Sequence, residues 1–116
     1  YGLCRHRFAE LHEPDGSVHS RFEGAITVGE KEVHIAGVGN GPIDSFFQAL
    51  AHAGVQGYHF VNYHEHAVSH GSNAEGICYI ELKKPNGEHI FGAGMHPNVN
   101  VAALLGIICA INRAEK

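Results

Sequence analysis

Basic charge is scarce in this chain. Eight Lys and Arg stand against twelve Asp and Glu in 116 residues, for a net charge of −4. The basic residues are scattered, which excludes the continuous positive stripe of a nucleic-acid binder. No apolar run approaches the roughly 20 residues needed to span a bilayer, so no membrane partner is expected. Cysteine is sparse as well: Cys4, Cys78 and Cys109 are odd in number and widely spaced. Cys78 and Cys109 sit in apolar runs and read as reduced, buried thiols of a cytoplasmic protein. No C-x-x-C supports a zinc site. No secretory signal opens the chain, and Tyr1 rather than Met stands first, as expected of a piece excised from a longer protein. The length suits one domain over residues 1–116.

What the chain does have is a repeat. Gly37-Val38-Gly39-Asn40-Gly41-Pro42 and Gly92-Ala93-Gly94-Met95-His96-Pro97 share a G-x-G-x-x-P frame, each preceded by alternating residues and followed by a long apolar stretch. Upstream, Glu23-Gly24-Ala25-Ile26-Thr27-Val28 answers Glu75-Gly76-Ile77-Cys78-Tyr79-Ile80. A unit of this size cannot bury its apolar face alone and needs its twin.

The elements follow from pattern and punctuation. Residues 2–11 are a weak strand candidate, and Pro14-Asp15-Gly16 is turn chemistry. Phe22–Val28 and Val33–Ala36 alternate around Gly29-Glu30-Lys31, predicting an antiparallel hairpin. Pro42 suits a first helical position, Asp44 the first turn, and Phe46, Phe47 and Leu50 the buried face of a helix ending at Gly54. The second copy runs from Tyr58. Ile77 and Tyr79 point one way and Cys78, Ile80 and Leu82 the other, which predicts a strand covered on both sides. Pro97 opens a last helix whose Val101, Leu104, Leu105, Ile108 and Ile111 form one stripe; a helix this apolar predicts burial on several sides and a partner surface. The expected fold is α+β: a pseudo-twofold repeat of two β-β-β-α units, about 18–54 and 58–114, with residues 1–13 as a leading strand and helices on one side of antiparallel sheet.

Few arrangements carry chemistry. Gly39-Asn40-Gly41-Pro42 places a turn before a helix, where free N–H groups and the helix dipole receive a carboxylate or phosphate, and the glycines allow close approach. The alternative is that they only permit the strand-to-helix turn. The frame is not the dinucleotide fingerprint, which wants a third glycine and a parallel βαβ unit. Eleven histidines raise a metal site, with His64, Glu65, His66 and His70 within seven residues. No H-E-x-x-H spacing supports it, and dispersed imidazoles are the simpler reading. There is no serine elbow and no cysteine with an evident base, so no catalytic residues are assigned and no metal or cofactor is expected.

Taken in order, G-V-G-N-G-P-I-D-S-F (37–46), N-Y-H-E-H-A-V-S-H-G-S-N-A (62–74), G-A-G-M-H-P-N-V-N-V-A (92–102) and A-I-N-R (110–113) resemble one known domain. It is the C-terminal regulatory, leucine-sensing dimerisation domain of 2-isopropylmalate synthases, with relatives in citramalate synthases. The resemblance runs from about Phe22 to the C-terminus. It implies a homodimer attached to a metal-dependent TIM barrel that condenses acetyl-CoA with 2-oxoisovalerate, chemistry absent from this chain. It implies L-leucine as allosteric ligand, its polar end at Gly39, Asn40, Gly41 and Pro42, its side chain against some of Ile43, Phe60, Tyr63, Ala67, Ala74 and Met95. A branched zwitterion needs such a helix start beside a small apolar pocket. The family commonly carries an aliphatic and then an acidic residue where this chain has Met95-His96. Met is adaptable and Phe60 narrows the space, so isoleucine, the effector expected of a citramalate synthase domain, stands beside leucine. A purely structural dimerisation module and a histidine-rich metal-binding domain are the readings from other classes.

Overall fold

The computed structural model describes residues 1–67 and 75–115. Its elements run β1 (Gly2–His12), β2 (Val18–Val28), β3 (Lys31–Gly39), α1 (Pro42–His52), β4 (His59–Ala67), β5 (Gly76–Lys83), β6 (His89–His96) and α2 (Val99–Ala114). Strand-strand-strand-helix therefore occurs twice, the α+β pseudo-repeat anticipated from the sequence. Each set of three strands forms its own antiparallel sheet in sequence order. The chain divides into two compact units, Tyr1–Gln56 and Gly57–Lys116, each with one sheet and one helix.

In the first unit α1 lies over β3 and the adjoining part of β2. Phe22, Ile26 and Ile35 of the sheet and Phe46, Ala49 and Leu50 of the helix are buried. Phe46 meets Phe22 edge to face with centroids 5.0 Å apart, and Phe8 extends the row at 5.3 Å, a geometry that adds to simple burial. Pro42 is the first helical residue and Asp44 sits in the first turn, as the sequence predicts. The opposite face of this sheet is charged. Arg7 and Arg21 both reach Glu23, at 2.8 and 2.7 Å, and Arg5 reaches Glu32 at 2.7 Å.

In the second unit α2 lies over β6 and β5. Cys78, Ile80 and Leu82 are buried on the helix side, as are Val101, Leu104, Ile107, Ile108 and Ile111 of α2. Three expectations need correction here. The helix begins at Val99, not Pro97, because the Asn98 side chain accepts N–H bonds from Asn100 and Val101 and so fixes the boundary. Most of the apolar stripe on α2 is already buried within the chain and Leu105 is half-buried, so that stripe is not an open partner surface. Finally, among the described residues only one face of β5 is covered, by α2. Tyr79 is 47% exposed, and its neighbours on β6, Phe91 and Met95, are 55% and 49% exposed.

Both G-x-G frames do the same mechanical job. A Cβ on Gly37 would meet Ser45 O at 2.6 Å and Gln48 C at 2.8 Å; one on Gly39 would meet Ser45 N at 2.7 Å. In the second copy a Cβ on Gly94 would meet Gly106 N at 2.6 Å, and one on Gly92 would meet Ala110 Cα at 2.9 Å. The glycines let each helix backbone lie directly on its third strand. On α2, Gly106 reciprocates: its Cβ would meet Ile80 Cγ1 at 2.7 Å.

Candidate functional site

The turn from β3 into α1 carries five of the residues singled out in the sequence: Gly39, Asn40, Gly41, Pro42 and Ile43. Gly41 is the N-cap, with no side-chain cap bond. Its φ of −168° and ψ of 177° are extended backbone that any residue adopts, and a Cβ there would meet nothing within 4 Å. Positive φ is therefore not what Gly41 supplies; its value to a ligand is an unobstructed approach to the helix start. One donor of the turn is already engaged, because Asn40 N–H donates to Asp44 Oδ2 at 3.0 Å. The Ser45 hydroxyl donates to the Pro42 carbonyl at 2.9 Å, and Ser45 N–H donates to Gly41 O at 2.9 Å, closing the first helical turn. Asp44 is the residue whose part here the sequence reading missed. Its position four residues beyond Asn40 was the available signal, since a first-turn carboxylate can fold back on the preceding loop.

A zwitterion arriving at this turn meets two kinds of group. First-turn N–H groups point out of the helix with the positive dipole end behind them, and the Asp44 carboxylate offers a negative partner for an ammonium. The half-buried Pro42 and Ile43 border the same place.

The remaining predicted residues lie in the second unit and do not form one surface. Phe60 pairs with Leu82 and Tyr63 with Ile80, so both face the helix side of the sheet. A bulge between Phe60 and Asn62 brings these two residues, three apart, onto the same face, with ring centroids 5.9 Å apart. Because α2 covers β5 and β6, Phe60 and Tyr63 form an exposed shelf beside the helix. Glu65 sits on that shelf opposite Cys78, whose thiol is pushed up from its ordinary range first by burial and then by the Glu65 charge. Met95 pairs with Ile77 on the other face of the sheet, away from Tyr63. Ala67 pairs with Gly76 at the end of β4. Ala74 lies outside the described residues, as does His70. His64 and His66 project opposite Tyr79 and Ile77, on the face away from Glu65. Among the described residues no group of three or more His, Cys, Asp or Glu is placed to hold a metal ion, and no helix is long and apolar enough to cross a membrane.

Two β-β-β-α units, each with a G-x-G strand seated under its helix, define an α+β repeat module. Residues 13–115 match the family described as the LeuA allosteric (dimerisation) domain, and the chain belongs to that family. The chain is 42% identical over 114 residues to 2-isopropylmalate synthase of Mesorhizobium japonicum, covering 95% of the chain and 20% of the relative. It is 40% identical to the Rhizobium johnstonii enzyme of the same name over 113 residues, 94% of the chain and 20% of the relative. The Clostridium acetobutylicum 2-isopropylmalate synthase is 33% identical over 110 residues, 95% of the chain and 19% of the relative. The chain thus spans about a fifth of the length of the curated relatives it matches.

Proposed function

We propose that this chain is the feedback-regulatory, dimerising region of a cytoplasmic 2-isopropylmalate synthase, and that its ligand is L-leucine. In this reading the chain itself performs no chemistry. Acyl transfer from acetyl-CoA belongs to a metal-dependent barrel elsewhere in the parent polypeptide, and leucine bound here lowers that activity from a distance.

The observation that carries the reading is the family match across residues 13–115, joined to the geometry of the β3–α1 turn. The unobstructed start of α1 at Gly41 suits a carboxylate. Asp44 suits the ammonium, and the half-buried Pro42 and Ile43 beside it are apolar surface of the kind a branched side chain seeks. Dimerisation is expected to follow a twofold axis, with the same patch on each copy.

Titration of the purified chain with leucine, isoleucine and valine, followed by thermal melting, tests this directly. A ligand that binds only the folded state adds RT ln(1 + [L]/Kd), about 2.7 kcal/mol at a hundredfold excess over Kd, which for a chain of this size is a shift of several degrees. Leucine is expected to give the largest shift, and Gly41→Val to remove most of it while lowering the unliganded midpoint by only a few degrees. A folded Gly41→Val that binds leucine with unchanged affinity would remove the turn from the site. A chain that responds to no branched amino acid would leave only the dimerisation role.

A further inference from the structure

The uncovered face of the β4–β5–β6 sheet holds a cleft that the regulatory reading does not use. Its floor is the backbone of Ile80 and Gly92, and its walls are Asn62, His64, Tyr79, Glu81 and Phe91. Register explains the arrangement. Asn62, Glu81 and Phe91 form one cross-strand row, and His64, Tyr79 and Ala93 form the next. Tyr79 and Phe91 therefore stand on a diagonal between neighbouring strands, close enough for long side chains to share a guest. Ala93, small and exposed, leaves the space between them open. The volume is about 240 Å³, below that of a drug-sized site.

The lining fixes the chemistry of the guest. Among the described residues no Arg or Lys contributes to it; Lys83, two residues along the same face, lies outside. Among the described lining residues the formally charged one is Glu81, a part-buried carboxylate on the central strand. Its Oε2 is held by His89 Nδ1 at 2.5 Å, which fixes the side chain. Tyr79 is likewise steadied by an edge-on contact with His66, centroids 6.0 Å apart. Two exposed aromatic faces with a carboxylate in the row of one of them form an environment that attracts positive charge and repels anions. Groups held in place before binding lose little freedom on capture.

We propose that this cleft binds a small organic ammonium ion, seated against Tyr79 and Phe91 with its charge toward Glu81. The cleft is distinct from the residues assigned to leucine: none of the described ones lines it, and Phe60 and Tyr63 lie on the opposite face of this sheet. The ion is either a free amine or the lysine side chain of a docking segment; the chemistry of recognition is the same.

Nitrogen-15-detected NMR titration of the full chain separates the possibilities. n-Butylammonium is expected to give saturable shifts centred on Asn62, His64, Tyr79, Glu81 and Phe91, while n-butanol, with the same tail and no charge, gives none. Glu81→Gln keeps the shape and should weaken binding roughly tenfold, the weight of a hydrogen bond to a charged group. Tyr79→Leu should weaken it roughly threefold through loss of the ring face. Nα-acetyl-lysine methylamide binding at least as tightly would assign the cleft to a protein side chain, and butylammonium alone to a free amine; either supports the proposal. Equal shifts with butanol, or a folded Glu81→Gln that binds butylammonium as the parent chain does, would overturn it. Leucine titrated into Glu81→Gln should still act at the β3–α1 turn, so the two sites fail separately.

Discussion

The two units repeat one plan on the helix side of their sheets and part company on the other side. Beneath each helix the solution is shared: a G-x-G strand takes the helix backbone directly, and buried aliphatic or aromatic residues of the central strand fill the rest, Phe22 and Ile26 in one unit, Ile80 and Leu82 in the other. Even the edge strands agree, since β1 and β4 each carry a bulge, between Leu3 and Arg5 and between Phe60 and Asn62. The outer faces differ in kind. That of the first unit is a lattice of ion pairs around Glu23 and Glu32; that of the second presents Ile77, Tyr79, Phe91 and Met95 beside His64 and His66. Packing constrains the inner face of such a unit closely, and leaves the outer face free to take on another task.

The sharpest way to break the shared inner plan is at the glycines. A methyl group on Gly94 would collide with backbone atoms of α2, Ala102 O and Gly106 N. Backbone cannot yield as a flexible side chain does. Gly94→Ala is expected to cost about 3 kcal/mol or more, lowering the melting midpoint by roughly 10 °C or more. Gly37→Ala should do the same in the first unit, through Ser45 O and Gln48 C. Gly41→Ala, with open space and extended backbone, should cost only about 0.5–1 kcal/mol, the difference between glycine and alanine at an N-cap. Urea denaturation of the three variants compares them on one scale. A Gly94→Ala chain as stable as its Gly41→Ala counterpart would show that the close helix-on-strand seat is not what these glycines supply.

Helix starts give a mid-sized contrast. α2 is capped by Asn98, whose Oδ1 accepts from Asn100 N–H at 2.9 Å and Val101 N–H at 3.4 Å; α1 starts from Gly41 with no side-chain cap. Asn98→Ala should cost about 1 kcal/mol, and Gly41→Ser should be neutral or gain a few tenths. If Asn98→Ala were silent by calorimetry, the tertiary packing of α2 would be setting its boundary without help from the cap.

Much of this was legible in advance because it is local. Alternation through Cys78, Ile80 and Leu82, the Gly29 and Gly87 turns, and Pro42 followed by Asp44 each reflect a preference of a few neighbouring residues, and together they give two β-β-β-α units. The repeat itself was visible in the G-x-G frames, but not their purpose. Which backbone atom arrives above a glycine is a tertiary fact with no sequence period. Facing was lost for a related reason. Parity along β4 changes at the Val61 bulge, so Phe60 and Tyr63 share a face that a regular strand would deny them, while Met95 falls on the other side. The open face of β5 could not be read from apolar residues in both phases, because that pattern is the same whether a covering surface belongs to the chain or to something that binds it.

The smallest effect tests the outer faces themselves. Glu23 accepts Arg7 at 2.8 Å and Arg21 at 2.7 Å, and the guanidinium groups are well exposed, so solvent screens most of the attraction. Exposed pairs of this kind are worth about 0.2–1 kcal/mol. Glu23→Gln leaves Arg7 and Arg21 without their shared countercharge on one face, and is expected to lower stability by no more than about 1 kcal/mol in dilute buffer. In roughly 1 M salt, where the screening length shrinks to about 3 Å, that difference should shrink toward zero. Tyr79→Thr on the other unit exchanges one good strand former for another and removes only an exposed ring, so a change within about 0.5 kcal/mol is expected. No ion pair is lost there, so salt should not alter it. Urea midpoints for both variants at low and high salt separate the two positions: Glu23, electrostatic and screened, and Tyr79, an uncharged ring indifferent to ions. A Glu23→Gln penalty that persists undiminished in high salt would mean that Glu23 contributes packing rather than charge, and the contrast between the faces would have to be restated in those terms.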